Sequence, residues 1–271
     1  LLRADDDTGA QDFEREQAVH QRAEQPEAAD LHRYVSTQSR LQEDELPPGL
    51  KDTGRPYAKF DIYDPAKVES GELDSRLTQL TSDQARSVLA QTVDMLKVFY
   101  LHDLSHRDLH MHNLMVYQDK AHPENVVLKA IDFGKSRINE HPDPGQRLDD
   151  LRYMFNKTAI DFGDKLKRGY REAGLPGANT ASTQKHYPLH RLLAQAKLGN
   201  DGGTLDQRVS ASAEFDELLN HVGQQLFDDL RAAQLDRVSI ENAFARAAYA
   251  LDDVARRASQ PPPPQADWLP I

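Results

Sequence analysis

The chain has 271 residues, enough for one large domain or two small ones. It carries 33 Lys and Arg against 44 Asp and Glu, and this net charge of −11 argues against nucleic-acid binding as its main function. It contains no cysteine, which excludes disulfides, thiolate catalysis and cysteine-based zinc sites.

Targeting signals are not evident in the sequence. It has no apolar run of about 18 residues, so we expect no membrane span. Its first residues, Leu1–Asp7, lack the basic and then apolar pattern of a secretory signal peptide. Together with the missing cysteines, this pattern is consistent with a cytoplasmic protein.

The first part of the chain predicts one helix and two strands. Residues Asp12–Ala23 fit an amphipathic helix, which Pro26 ends. Segments 33–38 and 57–63 are rich in Tyr, Val, Ile and Phe and predict strands, separated by a polar loop at 41–56. The helix is expected to face the core with four apolar residues: Phe13, Ala18, Val19 and Ala23.

The rest of the chain predicts mainly helices. Leu73–Leu80 fits a short helix, and Thr81 with Gln84 forms a capping box that opens a long amphipathic helix. Further elements follow in this order: strands at 114–117 and 126–131, a helix from Arg147, and long helices at 210–235 and 239–258. This order predicts the α+β class with two unequal parts.

Two polar segments carry residues suited to phosphoryl transfer. His106-Arg107-Asp108-Leu109-His110-Met111-His112-Asn113 follows the long helix, and Asp132-Phe133-Gly134 follows the second strand of the hairpin. Asp108 is a candidate base for a hydroxyl group. Asn113 and Asp132 offer the hard oxygen ligands that Mg²⁺ prefers. Gly134 permits a backbone turn directly after the metal ligand.

These segments resemble the H-R-D-L-x-x-x-N and D-F-G motifs of the protein kinase superfamily. The resemblance implies a bilobal fold, with a small N-terminal lobe over 1–63, truncated at its start, and a helical lobe over 64–260. A proline-rich tail over 261–271 follows. It also implies ATP and Mg²⁺ as cofactors and a protein Ser or Thr hydroxyl as the acceptor.

The resemblance extends to residues expected around ATP. Glu16, rather than its competitor Glu14, is expected to pair with a strand lysine just before residue 1. Phe60 is expected at the rear of the nucleotide pocket, and Glu72 near the ribose. The hinge that holds adenine through its backbone is expected at three residues: Asp61, Ile62 and Tyr63.

The sequence also departs from the family pattern. The glycine-rich loop and the V-A-I-K lysine are absent, and His110 occupies the position of the catalytic-loop lysine, where it is expected to bind a phosphate. The segment after Gly134 is short, so we expect activity without activation-loop phosphorylation, with Arg107 pairing with Glu140 or Asp143. Short segments of this kind resemble those of secreted bacterial effector kinases, which makes a host-cell protein a candidate substrate.

Several alternatives stay open. A pseudokinase would use the same fold only for binding, and the D-L-H string at Asp108–His110 also resembles small-molecule phosphotransferases. A second Asp-Phe-Gly string at 161–163 lies in a helical context and is interpreted as coincidence, as is the metal-like spacing of the histidines at 102–112. Asp150 is preferred over Asp149 as the residue that holds the catalytic-loop backbone.

Overall fold

The computed structural model describes residues 7–36, 38–40, 58–60, 66–140, 143–159, 187–199, 205–233 and 236–258. Over these residues the protein is α+β, as predicted, with a few short antiparallel strands and mostly helices. The predicted lobe boundaries near residues 63 and 260, the loop at 41–56 and the Asp-Phe-Gly string at 161–163 lie outside the described residues.

The described elements are, in chain order, α1 (Asp7–Ala23), α2 (Ala29–His32), β1 (Gln38–Arg40), β2 (Ala58–Phe60), β3 (Val68–Glu72), α3 (Leu73–Arg76), α4 (Ser82–Leu101), β4 (Leu104–Ser105), β5 (Leu114–Asp119), β6 (Val126–Ala130), β7 (Arg137–Ile138), α5 (Pro144–Ala159), α6 (Pro188–Leu198), α7 (Leu205–Ala233) and α8 (Arg237–Ala258).

Helix α1 is longer than predicted and starts at Asp7 rather than Asp12. Three of its predicted core residues are buried, namely Phe13, Val19 and Ala23, whereas Ala18 is exposed. The prediction for Ala18 was wrong because the buried stripe of the helix passes through Glu16 and His20 instead. Glutamate and histidine are rarely part of such a buried stripe, so this face of α1 is unusual.

The strand predicted at 33–38 was largely wrong. Pro26 opens a 3₁₀ turn that leads into α2, and Ala28, Leu31 and Val35 are buried at helical spacing. Burial of this face keeps the segment helical or turned up to Tyr34, and Val35 forms a single parallel bridge to Ala130. The first true strand, β1, starts only at Gln38 and pairs with β2.

The predicted hairpin is confirmed by β5 and β6, whose register places Leu114 opposite Ala130. Strand β3 adds to the outer edge of β5 and was not predicted. Its sequence, Val-Glu-Ser-Gly-Glu, has little β-branched or aromatic character, so the usual strand signal is missing.

Helix α4 is the centre of the core. Its predicted capping box is present, since Thr81 Oγ1 accepts from the Gln84 N–H at 3.2 Å and Gln84 Oε1 accepts from the Thr81 N–H at 2.8 Å. The helix packs against α6, α8 and β6. Among the described helices, none is long and apolar enough to cross a membrane.

Candidate functional site

The two motif segments meet at the end of α4. Strands β4 and β7 pair next to them, with Ser105 opposite Arg137. The Ile131 N–H donates to the Asn113 carbonyl oxygen at 3.0 Å. These backbone bonds hold residues 106–113 beside residues 132–134, although the two segments are separated along the chain by the whole hairpin.

Asn113 and Asp108 are joined by a direct hydrogen bond. The Asn113 side chain is buried, and its Nδ2 donates to the backbone oxygen of Asp108 at 2.9 Å. The amide nitrogen is therefore used by the loop, which leaves the amide oxygen as the atom of Asn113 suited to a metal ion.

Two residues of the site have left-handed backbone conformations. The φ angle of Arg107 is +62° and that of Asp132 is +60°. Such conformations cost energy in residues other than glycine, and in proteins they cluster at active sites. Arg107 directly precedes the candidate base, Asp108, and Asp132 is the candidate metal ligand.

The Asp108 carboxylate is partly buried and paired on one side. Its Oδ2 accepts from Lys135 Nζ at 2.6 Å, and its Oδ1 lies 3.9 Å from His110 Nε2. Burial raises the pKa of Asp108, but the hydrogen bond and charge of Lys135 outweigh it and hold this pKa below its usual value. Asp108 is therefore a carboxylate at neutral pH.

Lys135 is a site residue that the sequence interpretation did not single out. The hydrogen bond to Asp108 raises the pKa of Lys135, and the charges of Asp132 and Asp12 act in the same direction. The signal that could have found it was a basic residue directly after the Asp-Phe-Gly string.

A cluster of rings around Phe133 packs next to the site in edge-to-face and tilted arrangements. The Phe133 ring is fully buried, with its centroid 4.6 Å from that of His106 and 6.1 Å from those of Phe99 and His20. This cluster thus connects the loop at 106–113, the D-F-G segment, α4 and α1.

His106 is held neutral in this cluster. Its Nε2 lies 3.0 Å from the carbonyl oxygen of Ile131, and since a carbonyl only accepts, Nε2 carries the proton. Burial lowers the pKa of His106 to about 4. A second proton would sit on Nδ1, which is buried and has no hydrogen-bond partner among the described residues.

Glu16 is buried in α1, whereas its competitor Glu14 is exposed. The Oε1 atom of Glu16 has no hydrogen-bond partner among the described residues, and His20 Nε2 lies 3.9 Å away from it. A buried carboxylate in this state is suited to receive a cation.

Helix α1 approaches the D-F-G segment closely at Gly134. A Cβ atom on Gly134 would lie 3.0 Å from the Cβ of Asp12, and Arg15 donates to the Gly134 carbonyl oxygen at 3.4 Å. A side chain at this position would therefore crowd α1.

The residues expected around the ribose and adenine are only partly described. Glu72 ends β3 and is half exposed, and its Oε2 accepts from His112 Nδ1 at 2.8 Å. Phe60 ends β2, and the hinge residues Asp61, Ile62 and Tyr63 lie outside the described residues.

The predicted partners of Arg107 and Asp150 differ from those observed. The Arg107 guanidinium lies 5.8 Å from the centre of the Tyr153 ring, and within the described residues it forms no ion pair with Glu140 or Asp143. Asp150 accepts from Asn139 Nδ2 at 2.7 Å rather than from the loop backbone.

The loop backbone is instead held by the neighbouring turn of α5. The His106 N–H donates to the sulfur of Met154 at 3.3 Å. Helix α5 therefore contacts the loop through Met154, whereas Asp150 contacts Asn139.

The donor set at this site fits Mg²⁺ better than zinc. The described residues contain no group of three or more His, Asp and Glu side chains that could hold a metal ion by themselves, so the histidines at 102–112 form no such group. Mg²⁺ commonly takes one or two protein oxygens and completes its shell with phosphate and water. Asn113 and Asp132 match that demand.

The comparisons with known proteins point to kinases, but weakly. No family model matches the chain. A CDPK-related protein kinase of Daucus carota is 33% identical over 87 residues, which is 31% of this chain and 14% of that protein. Serine/threonine-protein kinase PLK4 of Drosophila virilis is 25% identical over 185 residues, 65% of this chain. The chain spans only 14% and 22% of these two relatives.

Proposed function

We propose that the protein is an ATP-dependent protein kinase that transfers the γ-phosphoryl group to a Ser or Thr hydroxyl. The observation that carries the proposal is the hydrogen-bonded junction of the two motif segments, with Asp108, Asn113 and Asp132 beside it. The weak similarity to two protein kinases supports the same reaction class.

Each of the three residues has a proposed role. Asp108, kept as a carboxylate by Lys135, orients the acceptor hydroxyl and takes its proton. Asn113 and Asp132 hold Mg²⁺, which supplies charge neutralisation to the phosphates when it is bound. Arg107 and His110 flank the base, and His110 is proposed to contact a phosphate oxygen.

The nucleotide is proposed to bind next to these residues. Glu16 is proposed to bind the lysine that contacts the ATP phosphates, since its Oε1 atom is buried without a hydrogen-bond partner among the described residues. The hinge at Asp61, Ile62 and Tyr63, with Phe60 behind it and Glu72 at the ribose, completes the proposed ATP site.

We also propose that activity does not need phosphorylation of the segment after Gly134. Arg107, whose counterpart in the family binds an activation-loop phosphate, here faces the Tyr153 ring. Phosphatase treatment of the purified chain should therefore leave its turnover unchanged. The partner we propose is a protein substrate.

The test is phosphoryl transfer from labelled ATP with Mg²⁺ to a generic protein. We expect label on the protein with the wild type, and a loss of about 1,000-fold in Asp108→Ala and Asp132→Ala. Asp149→Ala removes an exposed carboxylate of α5 and serves as the matched control with unchanged activity.

The outcomes separate the competing functions. Nucleotide binding without any transfer by the wild type would replace the proposal with a pseudokinase. Label on a small hydroxylated molecule rather than on protein would replace it with a small-molecule phosphotransferase. Equal labelling by wild type and both variants would overturn the assigned residues.

A further inference from the structure

An exposed ammonium group is paired with the carboxylate of the candidate base. Lys135 Nζ is 2.6 Å from Asp108 Oδ2, and the charges of Asp132 and Asp12 also act on it. The Lys135 side chain is 64% exposed, whereas that of Asp108 is 21% exposed. The Lys135 ammonium therefore lies at the solvent-exposed side of the site, next to Asp108.

Structural stabilisation is a poor explanation for this pair. Ion pairs that involve an exposed lysine contribute about 0–1 kcal/mol, because ordering the long side chain offsets the attraction. Within the described residues Nζ has one hydrogen-bond acceptor, Asp108 Oδ2, although an ammonium can donate to more. The remaining donors of this exposed ammonium are suited to an anion that arrives from solvent.

The position of Lys135 defines which anion that is. Its contact Asp108 is the candidate base for the acceptor hydroxyl, and the charge of Asp132, a candidate metal ligand, also acts on it. In the proposed reaction the phosphoryl group moves from a nucleotide whose metal Asp132 would hold to a hydroxyl at Asp108. The ammonium is available to it along this path.

We infer that Lys135 is a catalytic residue whose ammonium contacts the transferring phosphoryl group and holds Asp108 in place; this inference rests on the proposed kinase function. The bond between the γ-phosphorus and the β–γ bridging oxygen breaks, and its electron pair leaves on ADP. The acceptor oxygen forms the new bond to phosphorus, and its proton passes to Asp108. Lys135 stays an ammonium throughout and stabilises the charge on the equatorial oxygens.

The absence of cysteine from the chain allows a sharp test. Lys135→Cys introduces a single thiol, which is alkylated either with bromoethylamine, restoring an ammonium at nearly the lysine position, or with iodoacetamide, leaving a neutral group. Both products come from one folded preparation, so a difference between them reports on the charge. Lys157→Cys on α5, treated in the same two ways, is the control.

Two readouts are measured, kcat for phosphoryl transfer and the Kd values of Mg·ATP and Mg·ADP. We expect kcat to fall about 100-fold in the neutral product and to return to within about tenfold of the wild type in the aminoethylated product. Because ADP lacks the γ-phosphate, we expect the neutral product to weaken ATP binding and to leave ADP binding unchanged.

The inference is overturned if both alkylated products have the same kcat, or if ATP and ADP binding change equally. It is also overturned if the neutral product is as active as the wild type. These outcomes differ from failure of the proposed function, in which the wild type itself shows no transfer above Asp108→Ala.

Discussion

The side chain of Asn113 donates to the backbone oxygen of Asp108 across 2.9 Å, which ties the candidate metal ligand to the candidate base. The Asn113 carbonyl oxygen in turn accepts from the Ile131 N–H, next to Asp132. Asn113, which is buried, therefore connects the loop of Asp108 to the segment that leads into Asp132.

Removal of this link should impair both metal use and turnover. We expect Asn113→Ala to lower kcat about 100-fold and to raise the Mg²⁺ concentration for half-maximal activity, because a ligand and a loop hydrogen bond are lost together. A Mg²⁺ titration of phosphoryl transfer measures this. Asn242→Ala, on the exposed face of α8, should match the wild type; an unchanged Mg²⁺ dependence in Asn113→Ala would contradict the metal role.

Glu16 and Glu14 form a matched pair for testing the buried carboxylate. Glu16→Gln removes a charge that has no hydrogen-bond partner at Oε1 among the described residues, so we expect the free energy of unfolding to stay within about 1 kcal/mol of the wild type or to rise. Activity should nevertheless fall, because the proposed lysine partner loses its counter-charge. Urea unfolding and kcat are measured together.

In Glu14→Gln, which alters an exposed side chain two residues away, neither quantity should change. A Glu16→Gln variant that loses several kcal/mol while keeping full activity would show a structural role for the carboxylate instead.

Acidification should destabilise the protein through His106. Its pKa is about 4 when folded, against about 6.5 when unfolded, so between these values the unfolded state binds more protons and stability falls as the pH falls. At pH 5 this difference in proton binding lowers the free energy of unfolding by about 2 kcal/mol relative to pH 7.5. His106→Phe lacks the titrating group, and its stability should decline by that much less over the same interval.

The measurement is urea unfolding of both proteins at pH 7.5 and pH 5. The comparison between the two proteins cancels the contributions of other carboxylates and histidines. Parallel declines in the wild type and in His106→Phe would show that His106 is not a source of the acid sensitivity.

A methyl group at Gly134 should disturb the contact between α1 and the D-F-G segment. The added Cβ of Gly134→Ala lies 3.0 Å from the Cβ of Asp12, and Cβ atoms do not yield as flexible side-chain ends do. We expect a loss of about 1–3 kcal/mol in the free energy of unfolding, measured by urea denaturation.

Gly145→Ala is the control for this substitution. Its added Cβ meets only the carboxylate end of Asp143 at 3.1 Å, and it lies in the first turn of α5, where alanine favours the helix. Gly145→Ala should therefore be neutral or stabilising. Equal losses in both variants would mean that the close approach of α1 has no energetic consequence.

Local patterns along the chain were sufficient for several elements. The capping box at Thr81 and the hairpin at β5 and β6 are confirmed, because each depends on residues a few positions apart. The helix α6 and the strand β3 were not predicted. Strand β3 lies at the edge of its sheet, and its sequence lacks the alternation of apolar residues that predicts a strand. Pairing with β5, rather than intrinsic preference, therefore makes it a strand.

The sequence by itself determined the α+β class and the identity of Asp108, Asn113 and Asp132 as candidate site residues, since both rest on patterns contained in short segments. Only the tertiary structure decided that Lys135 contacts Asp108, that Glu16 rather than Glu14 is buried, and that Met154 rather than Asp150 supports the loop. These relationships join residues on different elements, or depend on which face of a helix meets the core, and packing of the whole chain sets both.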